Sequence, residues 1–112
     1  MFSGSCHCGA VKFSIHKEVT QIKQCDCSVC HRFGAWWAYF RPNQITLSKS
    51  ENATFTYLCN DKVIAFHICK VCGNLTHWEE IVHPVELVAL NMRLVDPAKL
   101  ENVPIFTVHK RD

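Results

Sequence analysis

The sequence lacks the long apolar run of a membrane span, a basic nucleic-acid-binding stretch and the leader of a secreted protein. No segment of the 112 residues approaches the roughly 18 consecutive apolar residues of a transmembrane helix. No run of five or more Lys or Arg occurs and the net charge is only +2, so neither nucleic acid nor a membrane is an expected partner. The N-terminal residues contain no charged segment followed by roughly 7–15 apolar residues. We therefore expect a cytoplasmic protein.

Hydrophobic residues make up 48% of the chain, enough for a packed core, and the length fits one domain, residues 1–112. Several short segments have the composition and spacing of β-strands joined by turn residues. They are residues 11–16, 20–25, 35–40, 45–48, 53–59, 62–69, 85–90 and 104–109, with a two-residue hairpin turn at Asn60-Asp61. The helical signals are short, at residues 28–32 and after Asp96. We predict a single, mainly β domain.

Eight cysteines are many for a chain of this length. In a reducing compartment such a density indicates metal or redox chemistry rather than disulfides. The cysteines also cluster, as close pairs that converge on one metal do. The clusters are a C-x-C at Cys6 and Cys8, a C-x-C-x-x-C at Cys25, Cys27 and Cys30, and a C-x-x-C at Cys69 and Cys72, while Cys59 stands alone.

The C-x-x-C of Cys69 and Cys72 is followed by Gly73, which allows the positive φ that closes a metal-binding turn. One such turn supplies two ligands and a structural zinc needs four, so the second pair must come from far along the chain. Cys6 and Cys8 are the natural partners. The alternative, a redox C-x-x-C of thioredoxin type, normally occurs in a βαβ context that this sequence lacks. We predict a structural zinc held by four cysteines.

Cys25, Cys27 and Cys30 form a second cluster, with three ligands. Three protein ligands with a vacancy are typical of a catalytic zinc. A fourth ligand from Cys59, or from a histidine such as His31, His67 or His77, would instead close the shell. Spacing alone does not decide between an open and a closed site.

Three stretches, GSCHCGAVKF, CDCSVCHRFGA and FHICKVCGNLTH, carry a resemblance to a known family. In this order and with these gaps they resemble the glutathione-dependent formaldehyde-activating enzymes, whose domain is shared with centromere protein V. The resemblance covers nearly the whole chain. It implies a β-tent of short antiparallel sheets with two zincs, one structural and one labile and catalytic. It also implies a carbon–sulfur lyase that forms and cleaves S-hydroxymethylglutathione, with glutathione or a similar small thiol and an aldehyde as partners.

By the same resemblance, the structural zinc is held by Cys6, Cys8, Cys69 and Cys72. The reactive zinc is held by Cys25, Cys27 and Cys30, and its vacancy accepts the thiol of glutathione. Cys59 falls outside the family's motif.

His31 is the nearest titratable group to the reactive cluster in sequence, so we predict that it delivers the proton to the new hydroxyl. Arg32 is predicted to pair with a substrate carboxylate or, like Lys23 and Lys70, to offset the negative charge of the thiolates. Trp36 and Trp37 follow at once, and on a strand they point to opposite faces, so only one can border the thiol site. The alternative function is a non-catalytic, zinc-stabilised module that binds a protein.

Overall fold

The computed structural model describes residues 2–59, 63–82 and 84–109. These residues form ten β-strands, one α-helix and three short 3-10 helices. The strands are β1 (Ser3–Ser5), β2 (Lys12–Ile15), β3 (Ile22–Cys25), β4 (Trp37–Phe40), β5 (Ile45–Ser48), β6 (Thr54–Cys59), β7 (Ile64–Cys69), β8 (Leu75–Glu80), β9 (Val88–Asn91) and β10 (Ile105–Val108). The α-helix is α1 (Ser28–Phe33), and the 3-10 helices are Pro42–Gln44, Met92–Leu94 and Pro97–Leu100. The predicted turn at Asn60-Asp61 lies outside the described residues.

The strands form two sheets. The smaller sheet has the order β1-β2-β5, and the larger has the order β10-β3-β4-β9-β8-β7-β6. Neighbouring strands are antiparallel except for β10 and β3, which are parallel. The radius of gyration, 13.2 Å, is that of a compact chain of this length, about 13 Å. The predicted mainly β fold is therefore confirmed, although one strand pair departs from the expected antiparallel pairing.

Strand β2 illustrates how the sequence pattern produces the sheet. Phe13 and Ile15 are buried, whereas Lys12 and Ser14 on the other face are exposed. Phe13 and Ile15 belong to an apolar cluster that also contains Leu90 of strand β9. The alternation fixes which face of β2 points inward, because a shift of one residue would expose both side chains.

Strand β8 was not predicted from the sequence. Its first four residues, Leu75 to Trp78, are all buried, so this part of the strand has no solvent-exposed face, and its polar and apolar residues do not alternate. The three-residue strand β1 was also missed. A strand that is covered on both sides lacks the period of two by which half-buried strands are recognised.

Helix α1 is short, and its ends are defined by its own residues. The sulfur of Cys27 accepts a hydrogen bond from the Cys30 amide at 3.4 Å and caps the N-terminus. Gly34, with φ of 68°, ends the helix and donates its amide hydrogen to the Cys30 carbonyl oxygen. The second predicted helix is a 3-10 turn, in which the Asp96 side chain accepts a hydrogen bond from Ala98 N. Among the described residues, no helix is long and apolar enough to cross a membrane.

Candidate metal centres

The first candidate centre joins a loop of the small sheet to a turn of the large one. Cys6 and Cys8 lie between β1 and β2, Cys69 ends β7, and Cys72 lies in the turn before β8. Their four sulfur atoms all lie within 4.8 Å of one another. The structure therefore brings together the four cysteines that the sequence analysis paired, from segments about sixty residues apart.

The sulfur spacing matches a tetrahedral metal shell. The Cys8 and Cys69 sulfurs are 3.5 Å apart and the Cys6 and Cys8 sulfurs 3.7 Å apart. A zinc ion with bonds of about 2.3 Å to four sulfurs separates each pair by about 3.8 Å. All eight cysteines of the chain are thiols rather than disulfides. The donor set and its spacing thus fit zinc.

Backbone amides around this centre stabilise the thiolate form. The Val11 amide donates to the Cys6 sulfur at 3.4 Å. Burial raises the pKa of the Cys72 thiol, but hydrogen bonds from the amides of Asn74 and Cys8 outweigh it and lower the pKa to about 6. Gly73 has φ of 78°, a backbone conformation that favours glycine and closes the turn. The turn is therefore arranged for anionic sulfur, the form that binds a metal.

The second candidate centre lies where β3 meets α1. Cys25 ends β3, Cys27 caps α1, and Cys30 lies on the buried side of that helix. Their three sulfurs all lie within 4.8 Å of one another. In the part of the chain that the structure describes, no fourth Cys, His, Asp or Glu ligand atom joins this group.

Trp37 places a polar hydrogen beside the three sulfurs. Its side chain is fully buried in the apolar cluster that contains Cys25 and Cys30, and its indole Nε1 makes no hydrogen bond within the described part of the chain. Burial raises the pKa of the Cys30 thiol, and the indole N–H acts against that rise. Trp36 faces the other way, donates to the Gln24 side chain at 2.9 Å and stacks under Arg93. As predicted from strand geometry, only one of the two tryptophans borders the cluster.

His67 and His77 do not close the shell of the three-cysteine cluster. Their rings stack on each other, with centroids 4.2 Å apart and planes at 9°. His67 is hydrogen-bonded through Nδ1 to Thr54 at 2.8 Å and through Nε2 to Glu79 at 3.2 Å. Phe66 and Trp78, the neighbours of these histidines on β7 and β8, pack in the cysteine-containing cluster instead. The alternation of strand side chains thus places the histidine pair on the opposite face.

Cys59 ends β6 and packs against the same apolar cluster as Cys25 and Cys30. It does not belong to the group of sulfurs that lie within 4.8 Å of one another. A strand-end position brings it near the cluster without making it a fourth ligand.

His31 and Arg32 lie on the exposed side of α1. Arg32 Nη1 donates to the Ser28 carbonyl at 2.7 Å and lies 3.1 Å from His31 Nε2. A guanidinium carries no acceptor, so His31 Nε2 accepts this hydrogen bond and Nδ1 carries the ring proton. The structure pairs the two predicted catalytic residues with each other, on the side of the helix opposite the buried Cys30.

Asp26, between two of the clustered cysteines, ties the loop to β10. Its carboxylate lies 2.9 Å from His109 Nδ1, and its amide donates to the Val108 carbonyl at 3.0 Å. The sequence analysis did not predict this contact, because it depends on the parallel pairing of β10 with β3.

A cleft of about 500 Å³ opens beside Cys25. Its lining residues are Lys23, Cys25, Tyr39, Val63, Ile64, Trp78, Glu80, Leu87 and Val108. Burial, together with the charges of the nearby thiolates, raises the pKa of Tyr39 to about 12, so its phenol keeps its proton at neutral pH. Of the three lysine and arginine residues that the sequence analysis singled out, Lys23 lines this cleft. Lys70 lies instead in the turn between Cys69 and Cys72.

Comparison with known proteins finds a matching family and a similar solved structure. The family model described as glutathione-dependent formaldehyde-activating enzyme matches residues 1–109. The crystal structure of a Rhodobacter sphaeroides protein superposes with a TM-score of 0.73 at 29% sequence identity, covering 92% of this chain and 98% of that one. The chain has no significant match among curated proteins.

Proposed function

Since this chain belongs to the family of glutathione-dependent formaldehyde-activating enzymes, we propose that it is a carbon–sulfur lyase. It would add the thiol of glutathione, or of a similar small thiol, to an aldehyde and reverse that addition. With formaldehyde the adduct is S-hydroxymethylglutathione. The observation that carries the proposal is the group of three thiols, Cys25, Cys27 and Cys30, beside the unpartnered indole N–H of Trp37.

The cofactor would be zinc, two ions per chain. Cys6, Cys8, Cys69 and Cys72 would hold the structural ion, because four thiolates complete a tetrahedral shell. Cys25, Cys27 and Cys30 would hold the reactive one and leave a position for the substrate thiol. Zinc bound there would supply the Lewis acidity that keeps a bound thiol deprotonated at neutral pH.

Trp37 supports a sulfur ligand at the reactive centre. A buried donor without a partner costs about 1–3 kcal/mol, and the Trp37 N–H is such a donor. The Cys30 sulfur, once it is a thiolate, would accept that hydrogen bond, because the indole N–H already acts against the rise in the Cys30 pKa. Lys23, in the cleft beside Cys25, would offset the negative charge that collects when a fourth thiolate joins three.

The proton is assigned to His31. On addition, the carbon–sulfur bond forms, the carbonyl π bond breaks, and the aldehyde oxygen takes a proton; cleavage returns it. His31 lies on the exposed side of α1, away from the buried Cys30, so it would move the proton through water, and its Nε2 lies 3.1 Å from Arg32 Nη1. The Arg32 guanidinium is also a partner for one of the two carboxylates of glutathione.

A protein-binding module is the second candidate, favoured by the outer strand of the large sheet. Phe55 and Tyr57 of β6 are each 52% exposed, and β6 is the outermost strand of that sheet among the described residues. Exposed aromatic side chains on a strand edge are a surface to which another chain can add.

Cobalt substitution tests the enzyme proposal. With Co²⁺ in place of zinc, glutathione should strengthen the sulfur-to-metal charge-transfer band, because it adds a fourth thiolate, whereas S-methylglutathione should not. Hemithioacetal exchange between glutathione and formaldehyde, followed by NMR magnetisation transfer at equilibrium, should exceed the uncatalysed rate. Cys27→Ala should abolish both responses while the protein stays folded.

Cys59→Ala is the matched control and should keep both responses. His31→Gln should keep the cobalt response but slow the exchange. If glutathione leaves the cobalt spectrum unchanged and Cys27→Ala exchanges as fast as the wild type, the enzyme proposal fails in favour of the binding module.

A further inference from the structure

The cleft beside Cys25 is larger than a formaldehyde adduct requires. A hydroxymethyl group adds only one carbon and one oxygen to the sulfur of the thiol. The cleft volume is about 500 Å³, within the roughly 300–1,000 Å³ of pockets that hold whole small molecules. If formaldehyde were the aldehyde, its one carbon and one oxygen would fill only a small part of this space.

The walls of the cleft are mostly apolar. The apolar lining residues are Val63, Ile64, Trp78, Leu87 and Val108. Glu80 is the acidic residue among the described lining residues, and its carboxylate already accepts the amides of Glu86 and Leu87, each at 3.0 Å. Lys23 and Tyr39 add two polar groups, but the five apolar side chains complement an alkyl or aryl group better than they complement the polar peptide of glutathione.

One part of the cleft wall is a packed aromatic side chain, and another part is an apolar side chain exposed to solvent. Trp78 is 8% exposed and packs between aromatic neighbours, with ring centroids 6.3 Å from Trp37 and 5.9 Å from Tyr39. Val63 is 41% exposed, so water covers apolar surface that a ligand would bury. A preformed aromatic wall and an exposed valine together favour an apolar ligand group.

The cleft also opens directly onto the reactive cysteines, since Cys25 is one of its lining residues. A substituent on a sulfur bound beside Cys25 therefore has the cleft within reach. The shape and the chemistry of the cleft therefore determine which group on the adduct carbon can be bound.

We propose that the protein takes adducts of apolar aldehydes, with the alkyl or aryl group of the adduct carbon in this cleft. The inference rests on the function proposed above and names its aldehyde class. The chemistry is the same addition: the sulfur–carbon bond forms, the carbonyl π bond breaks and the thiol proton moves to oxygen. No oxidant or further reactant is needed.

Two thioethers of glutathione test the cleft without any reaction. S-hexylglutathione and S-methylglutathione differ only in the alkyl group, and neither has a free thiol. Each buried methylene strengthens binding by about fourfold, so burial of two of the additional methylenes predicts a preference above tenfold for the hexyl compound. Isothermal titration calorimetry on the zinc-loaded protein measures both affinities.

Substitutions test whether the cleft is the source of the preference for S-hexylglutathione over S-methylglutathione. Val63→Asp should remove most of it by placing a charge in the wall, and Val63→Thr, which keeps the side-chain shape, should reduce it severalfold. Val82→Asp is the matched control: Val82 is 52% exposed and does not line the cleft, so the preference should remain. Equal affinities of the wild type for the two thioethers, or a preference that survives Val63→Asp, would overturn the inference.

The thioether result is separable from the proposed function. If the cobalt spectrum responds to glutathione but the thioethers bind equally, the lyase proposal stands and the apolar-aldehyde inference is wrong. If the hexyl compound is preferred but glutathione does not change the cobalt spectrum, the cleft binds apolar groups and the lyase proposal fails.

Discussion

His77 is fully buried, and one of its ring nitrogens, Nε2, has no hydrogen-bond partner among the residues that the structure describes. Its Nδ1 is hydrogen-bonded to Thr76 Oγ1 at 2.8 Å. Burial lowers the pKa of His77 from 6.5 to about 3, and the stacked His67 adds to the effect. The native state therefore holds this imidazole neutral over a range in which the unfolded chain would protonate it.

This difference predicts that stability falls with acidity. Below pH 6.5 the unfolded state binds a proton at His77, whereas the folded state does not bind it until the pH falls to about 3. The free energy of unfolding should therefore decrease as the pH falls through this window, by up to about 1.4 kcal/mol per pH unit. Urea unfolding of wild type and His77→Phe between pH 6.5 and 4.5 measures the slopes, and the variant should have the shallower one.

The same two proteins supply the control for this prediction. Above pH 6.5 the free energies of unfolding of the two proteins should change in parallel with pH, because His77 of the wild type is neutral in both its folded and its unfolded state there. Metal release in acid and the titration of other residues are common to both, so the difference in slope isolates His77. Identical slopes below pH 6.5 would show that His77 is not held neutral.

Sequence analysis could identify the cysteine ligands because short local motifs mark them, even where two motifs that share one centre lie about sixty residues apart. Cys25, Cys27 and Cys30 converge because a strand end and one turn of helix place them together. The Trp37 donor and the stacked His67–His77 pair could not be predicted. They depend on the register between β7 and β8, which pairs His67 with His77, and on packing that covers the sheet on both faces.

Among the secondary-structure elements, the turn between β7 and β8 links the large sheet to the small one. It presents Cys69 and Cys72 to a loop of the small sheet, and the His7 amide donates to the Asn74 side chain across the same junction at 2.8 Å. A metal that bridges two segments binds the folded chain and not the unfolded one. Its binding free energy is therefore folding free energy.

Two cysteines, each the last residue of its strand, lie at opposite ends of an antiparallel strand pair and give a comparison. Cys69 ends β7 and belongs to the four-sulfur group, whereas Cys59 ends β6 and lies outside both groups. Cys69→Ser should lower the melting temperature strongly or prevent folding, because the metal loses a ligand at the junction of the sheets. Cys59→Ser should be mild and keep the metal content. Thermal unfolding with elemental analysis measures both effects.

Either of two results would contradict this assignment. A Cys69→Ser protein with an unchanged melting curve would remove the structural role of the four-cysteine centre. Loss of one metal from Cys59→Ser would make Cys59 a ligand of the second centre.

Elements with a polar and an apolar face, or with a continuous apolar run such as β9, were predictable, whereas a buried strand that contains polar residues was not. Strand β5 has the predicted bounds, 45–48, and α1 begins at the predicted residue. Strand β8 was missed although it supplies Trp78 to the cleft and His77 to the histidine pair. Its sequence, LTHWEE, places two polar residues, Thr76 and His77, at fully buried positions. A search for a pattern of apolar residues does not reveal such a strand.

In the whole molecule, the two candidate centres have different relations to the core. The four-cysteine centre joins the two sheets. The three-cysteine centre lies at one end of the large sheet, with the half-exposed Cys27 at its surface and a cleft beside it. Loss of a metal from the first centre would separate parts of the fold, whereas loss from the second would leave the sheets joined.

The arrangement predicts two metals of unequal lability. After reconstitution with zinc, the chain should contain two ions, and a chelator should remove one quickly without changing the circular dichroism spectrum. The second should leave only as the protein unfolds, because four thiolates and two sheets hold it. The thiol response should disappear with the first ion, since that ion is the one with three protein ligands. Two ions that leave at the same rate, or a thiol response that outlasts the first, would mean that the three-cysteine centre is not an open site.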